Sequence, residues 1–198
     1  NQPNGGIIMA INWSNDSTVN QIRPAGHKFQ QVVDIDTSGA SNHTVTGIPD
    51  DAGEVCIHLI NHSLDSGGSG QCNLRLGNGS VDSGNYYWWA SNDGGGSSTT
   101  QQGNSTNKFE LMTSNHTSAA HRVSGTIRLV RATHSEGRDY SGWIMSSQLG
   151  DHNNNLFFTS AGFYGITGPI DRVYLFNSAG RGYDASARMI VTYATGNY

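Results

Sequence analysis

Residues 122–131 read RVSGTIRLVR, and this stretch decides the class of fold. Small or apolar residues alternate there with polar ones: Val123, Gly125, Ile127 and Leu129 against Ser124, Thr126 and Arg128. A period of two residues is that of a β-strand with one face buried and the other in water. An amphipathic helix would instead repeat its apolar residues every three or four positions.

The same period recurs along most of the chain, and polar, glycine-rich turns separate the runs. It predicts about ten to twelve strands. We place them at 7–11, 28–36, 43–48, 54–61, 71–77, 85–90, 107–112, 122–131, 140–146, 155–164, 169–176 and 186–194. Short strands between polar turns are typical of an antiparallel sandwich or barrel, and the period alone leaves that choice open.

The length of 198 residues favours one domain. Residues 1–26 are polar with little periodicity, so we expect an N-terminal arm or linker there, followed by a single domain over 27–198. Residues 91–107 read SNDGGGSSTTQQGNSTN, and we expect this low-complexity segment to form a long exposed loop.

Composition excludes two classes of partner. Charged residues make up only 13% of the chain and the net charge is −4, whereas a protein that binds phosphate backbones carries a basic surplus. The longest apolar runs, 7–11 and 86–90, fall far short of the roughly 20 residues that span a bilayer. We therefore expect no nucleic acid as a partner and no insertion into a membrane.

No group of residues predicts catalysis or metal binding. Asp34 and Asp36 share one strand face, but no convincing pair of carboxylates for acid–base chemistry emerges. His58 and His62 have the spacing of a helical metal site, yet they fall on a predicted strand and would not converge. We expect a protein that is not an enzyme and that holds no metal or cofactor.

Cys56 and Cys72 leave two alternatives open. They are either two buried thiols that act as small apolar residues or a disulfide that closes a short loop. Neither shows the surroundings of an activated nucleophile. With no second pair of cysteines, a metal site built on thiolates is not expected.

The aromatic run Tyr86-Tyr87-Trp88-Trp89 is the most informative candidate for binding. On a strand, Tyr86 and Trp88 point one way and Tyr87 and Trp89 the other, so one pair lies in the core. The other pair either stacks on sugar rings at an exposed face or is buried in a subunit interface. The candidate ligand-binding residues are Tyr87, Trp88, Trp89, Asn92 and Asp93.

Five short motifs follow one another in a fixed order. They are Thr46-Gly47-Ile48-Pro49; Asn73-Leu74-Arg75-Leu76-Gly77 with Ser83-Gly84-Asn85-Tyr86; Ser124-Gly125-Thr126-Ile127-Arg128-Leu129 with Trp143-Ile144; Ile170-Asp171-Arg172-Val173-Tyr174-Leu175; and Tyr183-Asp184-Ala185-Ser186 before the strand 189–193. Together they resemble a domain common in virion proteins of tailed bacteriophages and prophages, over Thr46–Tyr193. Ser186 departs from that family, which usually has Gly there. The resemblance implies a structural virion role but assigns no binding residues.

We therefore expect an all-β protein, an antiparallel jelly-roll-like β-sandwich with a short N-terminal arm. Its expected place is the virion surface, as a homotrimer in a tail fibre or a head fibre or decoration. Its expected partners are copies of itself, other virion proteins and a glycan of the host surface. A capsid-cementing protein without receptor binding and a secreted lectin or carbohydrate-binding module remain the alternatives.

Overall fold

A computed structural model describes residues 21–22, 28–64, 70–94, 97–113, 122–132, 142–151 and 155–195. Within these residues the protein is all-β, with fourteen strands. They are β1 (Gln21–Ile22), β2 (Lys28–Asp36), β3 (Asn42–Thr46), β4 (Ala52–His62), β5 (Cys72–Asn78), β6 (Ser80–Val81), β7 (Tyr86–Gly94), β8 (Ser97–Thr106), β9 (Phe109–Glu110), β10 (Val123–Ala132), β11 (Gly142–Asp151), β12 (Leu156–Tyr164), β13 (Arg172–Asn177) and β14 (Arg188–Thr195). The described part of the chain holds no helix long and apolar enough to cross a membrane.

Eight of these strands pair in a nested order, in which the first strand pairs with the last, the second with the last but one, and so on. β2 pairs with β14, β3 with β13, β4 with β10 and β5 with β9, and every pair is antiparallel. Along the chain, β2 to β5 alternate between the two sheets. This is the topology of a jelly roll, so the predicted jelly-roll-like sandwich is confirmed.

Two insertions add four strands to the larger sheet and one, β6, to the smaller sheet. Strands β6 to β8 lie in the chain between β5 and β9, and strands β11 and β12 lie between β10 and β13. The larger sheet has nine strands in the order β1-β2-β14-β4-β10-β11-β12-β7-β8, whereas the smaller sheet has β3-β13-β5-β6 with β9 beside β5. The large sheet therefore extends beyond the four strands that the jelly roll itself supplies.

The hydrophobic core lies between the two sheets, and the predicted alternation is confirmed. The inward residues of β4 and β10 are at most 1% exposed: Val55, Ile57, Leu59, Val123, Ile127 and Leu129. Burying each large aliphatic side chain contributes about 1.5–3 kcal/mol. Tyr86 also ties the sheets together, because its hydroxyl accepts a hydrogen bond of 2.8 Å from the Leu76 backbone N–H. The Tyr86 ring stacks on Tyr164 with 4.8 Å between centroids.

The prediction of a long loop over 91–107 is wrong. β7 continues to Gly94, and β8 (Ser97–Thr106) pairs with it as the last strand of the large sheet. The segment lacks apolar alternation because an edge strand beyond the sandwich has no face to bury, and the described side chains from Ser98 to Gln102 are exposed. The predicted strand 107–112 is shorter than expected, since only Phe109–Glu110 pairs.

The N-terminal predictions fall mostly outside the described residues. The predicted strand 7–11 lies outside them, and so does the arm 1–26 apart from Gln21–Ile22. That dipeptide pairs antiparallel with β2.

Candidate functional site

Four of the six large apolar side chains that are exposed in the described residues lie on one face of the molecule. Ile144 is 50% exposed, Phe157 46%, Trp89 45% and Tyr87 40%. All four lie on β7, β11 and β12 and are turned away from the core, on what we call the outer face of the nine-stranded sheet. Large apolar side chains left in water on a well-packed sheet indicate a candidate binding surface.

Strand register arranges these residues in rows that cross the sheet. Tyr87 lies opposite Phe163, which lies opposite Ile144. Trp89 occupies the next row and faces Ala161, a residue too small to cover the indole. Tyr87 and Trp89 are two residues apart on one strand, so their Cα atoms are separated by roughly 7 Å.

A third row consists entirely of uncharged polar residues, and we call it the polar row. It crosses five adjacent strands through Thr126, Gln148, Thr159, Ser91 and Thr100. Four strand spacings give it a length of roughly 19 Å. The row runs beside that of Trp89, so ring surface and hydrogen-bonding groups lie side by side.

A depression of about 440 Å³ opens over part of the polar row. Its lining is Thr126, Arg128, Ser146, Ser147, Gln148, Thr159 and Ser160. Apart from Arg128 and Gln148, these residues are small. The large rings of Phe157 and Phe163 lie on β12 six residues apart, roughly 20 Å along the strand. The outer face is therefore a shallow trough that runs across the strands.

An ion pair borders this trough. Arg128 Nε donates to Glu54 Oε1 at 2.6 Å and Nη2 to Oε2 at 3.0 Å, a bidentate arrangement. The Glu54 side chain is only 8% exposed, while that of Arg128 is 53% exposed. The arginine charge is thus already neutralised by a fixed carboxylate.

The structure divides the five candidate residues between two faces. Tyr87 and Trp89 share one side of the strand, as the alternation predicts, and both are exposed on the outer face together with Asp93. Trp88 is 8% exposed and donates from Nε1 to Thr106 Oγ1 at 3.0 Å. Asn92 is 6% exposed and its side-chain oxygen accepts from the backbone N–H of Thr99. Trp88 and Asn92 therefore stabilise the β7–β8 hairpin from its buried side. The ligand-binding role of Tyr87, Trp89 and Asp93 stays a prediction.

Sequence reasoning missed four outer-face residues: Phe157, Ile144, Gln148 and Thr159. The alternation of β11 and β12 carries a signal for them, since each lies out of phase with buried neighbours such as Met145 and Phe158. Their position on the same face as Trp89 depends on strand register, which the sequence does not display.

The histidine pair of β4 does not converge, as predicted. His58 lies on the outer face with Nδ1 3.1 Å from Thr126 Oγ1. His62 is buried, where its Nε2–H donates to the Arg188 carbonyl at 3.0 Å and its Nδ1 has no partner. Burial lowers the pKa of His62 to about 4. Among the residues that the structure describes, no three metal-ligating side chains lie together.

The two cysteines are not joined by a disulfide. Cys72 is buried in the smaller sheet, where burial raises the pKa of its thiol to about 12. Cys56 lies on the other sheet, half-buried, with Sγ 3.5 Å from Glu54 Oε1. Of the two alternatives left open by the sequence, the structure supports two thiols.

Several carboxylates are engaged by neighbouring groups rather than aimed into the trough. Glu110 pairs with Lys108 at 3.2 Å, and Asp171 pairs with Arg172 at 2.6 Å. The Arg172 guanidinium lowers the pKa of Asp171. Asp82 accepts a hydrogen bond from the Tyr164 hydroxyl.

No family model and no curated protein sequence matches this chain. A solved structure, the CBM2 module of the evolved Dit of Lactobacillus casei BL23 phage J-1, aligns with 79% of this chain and 70% of its own. The two share 11% identity, and the TM-score is 0.30. A likeness at that level carries no argument about the fold or the function of this chain.

Proposed function

We propose that this protein is a non-enzymatic surface component of a bacteriophage virion that binds a glycan of the host surface through its outer face. The virion setting is supported by the sequence resemblance over Thr46–Tyr193. The choice of a glycan as the ligand is supported by the groups that the outer face exposes. Trp89 exposes 45% of its surface beside a row of hydroxyl and amide groups.

That combination of groups suits a sugar. A pyranose ring presents a C–H face that stacks on an aromatic ring and hydroxyls around its edge that need hydrogen-bond partners. Binding sites commonly combine aromatic side chains for contact area with a few polar groups for orientation. An obligate subunit interface is more uniformly apolar, whereas the polar row crosses the middle of this face.

We further propose that the chain assembles as a homotrimer. Shallow sites bind weakly one at a time, and repetition on one particle raises the overall avidity by about 10²–10⁴-fold when the sites can engage together. Sedimentation equilibrium of the purified chain tests the assembly. A monomer across the concentration range would contradict the trimer and favour a free lectin.

Replacement of Trp89 tests the glycan site. Trp89→Leu keeps an apolar side chain but removes the ring, so we expect at least about a tenfold loss of affinity for the host glycan. Trp89→Phe should restore part of it. The matched control is Ile144→Ser, since Ile144 is equally exposed on the same face but has no ring.

The two variants separate a sugar from a protein partner. A glycan site requires the loss for Trp89→Leu and little change for Ile144→Ser. Equal effects of both, or none from either, would refute stacking on Trp89. The fold of each variant is checked by thermal unfolding.

Immunogold electron microscopy of phage particles tests the virion setting. Gold at fibres or tail tips is the expected result. Gold over the head would move the role to decoration or cementing of the capsid. Particles without gold would refute the virion setting and leave a secreted lectin.

A further inference from the structure

The part of the outer face that β7, β8, β10, β11 and β12 form has very little charge, and this bears on the chemistry of its ligand. Of the described residues that β7, β8, β10, β11 and β12 turn outward, two are charged, Arg128 and Asp93. Arg128 is held by Glu54 through two hydrogen bonds. Asp93 lies at the far end of β7, beside Phe157 of the neighbouring strand. No cluster of cations faces the trough in this part of the chain.

We infer that the trough takes an uncharged glycan segment that lies across the strands, with one sugar ring on Trp89 and its neighbours hydrogen-bonded along the polar row. This inference rests on the proposed function and narrows it to a class of ligand. It assigns a specificity-determining role to Gln148, the longest side chain of the row, which is exposed between Thr126 and Thr159.

The net charge of the chain also favours a neutral ligand over an acidic one. An acidic polymer such as a teichoic acid or a polyuronate is recognised by arginine and lysine, which form charge-assisted hydrogen bonds. The net charge of the whole chain is −4, so a polyanion would be repelled at long range. A neutral sugar needs donors and acceptors without charge, which hydroxyl and amide side chains supply.

The length of the polar row indicates a chain rather than a single sugar. The row crosses five strands over roughly 19 Å, and Trp89 lies in the row beside it near one end. A monosaccharide would contact only part of this surface. We expect affinity to rise with the number of linked sugars until the trough is filled.

A glycan array with neutral and acidic oligosaccharides tests the class of ligand. The probes are gluco-, galacto- and manno-oligosaccharides, oligogalacturonates and glycerol-phosphate oligomers, together with intact host cells. The expected result is binding to neutral members, with less than about a twofold change in affinity between about 0.05 and 0.5 M NaCl. Binding confined to acidic members, weakened by salt, would overturn the inference and leave the proposed function standing. Binding to no member and to no host cell would overturn both.

Variants of two glutamines test the placement. Gln148→Ala removes from the trough an amide group that could form hydrogen bonds with the ligand. We expect a loss of affinity of about fivefold to tenfold for the neutral glycan. The control is Gln101→Ala, since Gln101 is exposed on β8 but alternates to the opposite side from the outward Gln102. Equal affinity of both variants and the unmodified protein would refute the role of the polar row. Both variants should keep the thermal stability of the parent.

Discussion

His62 should make the folded protein lose stability as the pH falls from 6.5, the ordinary pKa of histidine, to about 4, its pKa in the fold. The main cause is burial, which removes water from the ring and disfavours the charged form. The hydrogen bond to the Arg188 carbonyl opposes this shift, while the nearby His43 adds to it. The Tyr183 ring, 4.7 Å away edge to face, offers no charge that could compensate.

The sign and size follow from proton linkage. Between these two pH values the unfolded chain binds a proton that the folded chain excludes, so acid favours unfolding. The stabilisation is complete above the unfolded pKa and is lost as the pH falls towards the folded pKa. The shift corresponds to about 3 kcal/mol in total, of which about 2 kcal/mol is lost by about pH 5.

Urea unfolding followed by tryptophan fluorescence at a series of pH values measures this loss. His62→Gln can keep the donor to the Arg188 carbonyl but does not titrate. Between about pH 7.5 and 5, its free energy of unfolding should therefore fall by about 2 kcal/mol less than that of the parent. The series stops at about pH 5 because Asp36 and Asp171, whose pKa values are lowered, would add to the loss of stability at lower pH. Parallel curves for the parent and His62→Gln would refute the reasoning.

Two other substitutions have clear expected outcomes. Gly103→Ala places a methyl group against the indole of Trp88, so we expect thermal unfolding to show a loss of about 1–3 kcal/mol, whereas Gly84→Ala, in open space, should change stability by less than about 1 kcal/mol. An equal effect of the two would contradict this packing. With a thiol reagent, half-buried Cys56 should react in the native protein and Cys72 only after unfolding, because burial keeps Cys72 protonated. Cys56→Ser should remove the fast reaction, and two fast thiols would contradict the burial of Cys72.

The strands predicted best are those with one face in the core. The expected strand 122–131 corresponds to Val123–Ala132, and 155–164 corresponds to Leu156–Tyr164. Their alternation is strong because every second side chain is removed from water. The strand Ser97–Thr106 was missed because neither of its faces needs apolar residues, so its composition is that of a loop.

The candidate site was predicted in part for the same reason. Alternation places Tyr87 and Trp89 opposite Tyr86 and Trp88, and the structure shows that Tyr86 and Trp88 are the buried pair. The sequence could not add Phe157 to the candidate site, because Phe157 lies on β12, in a distant part of the chain. Nor could it tell that Asn92 closes the hairpin from within, since that requires the partner strand.

The sequence by itself determined the all-β class, the position of most strands and, in strands with a clear apolar and polar alternation such as 122–131, the side that faces the core. These properties depend on the strand propensity of single residues and on a period of two residues, and both can be seen in residues that are close together in the sequence. Tertiary structure alone decided the nested pairing of the strands, the extension of one sheet to nine strands and the meeting of Trp89 with Gln148 and Thr159 on one face. Those contacts depend on the register between distant segments, which is fixed only when both sheets close over a common core.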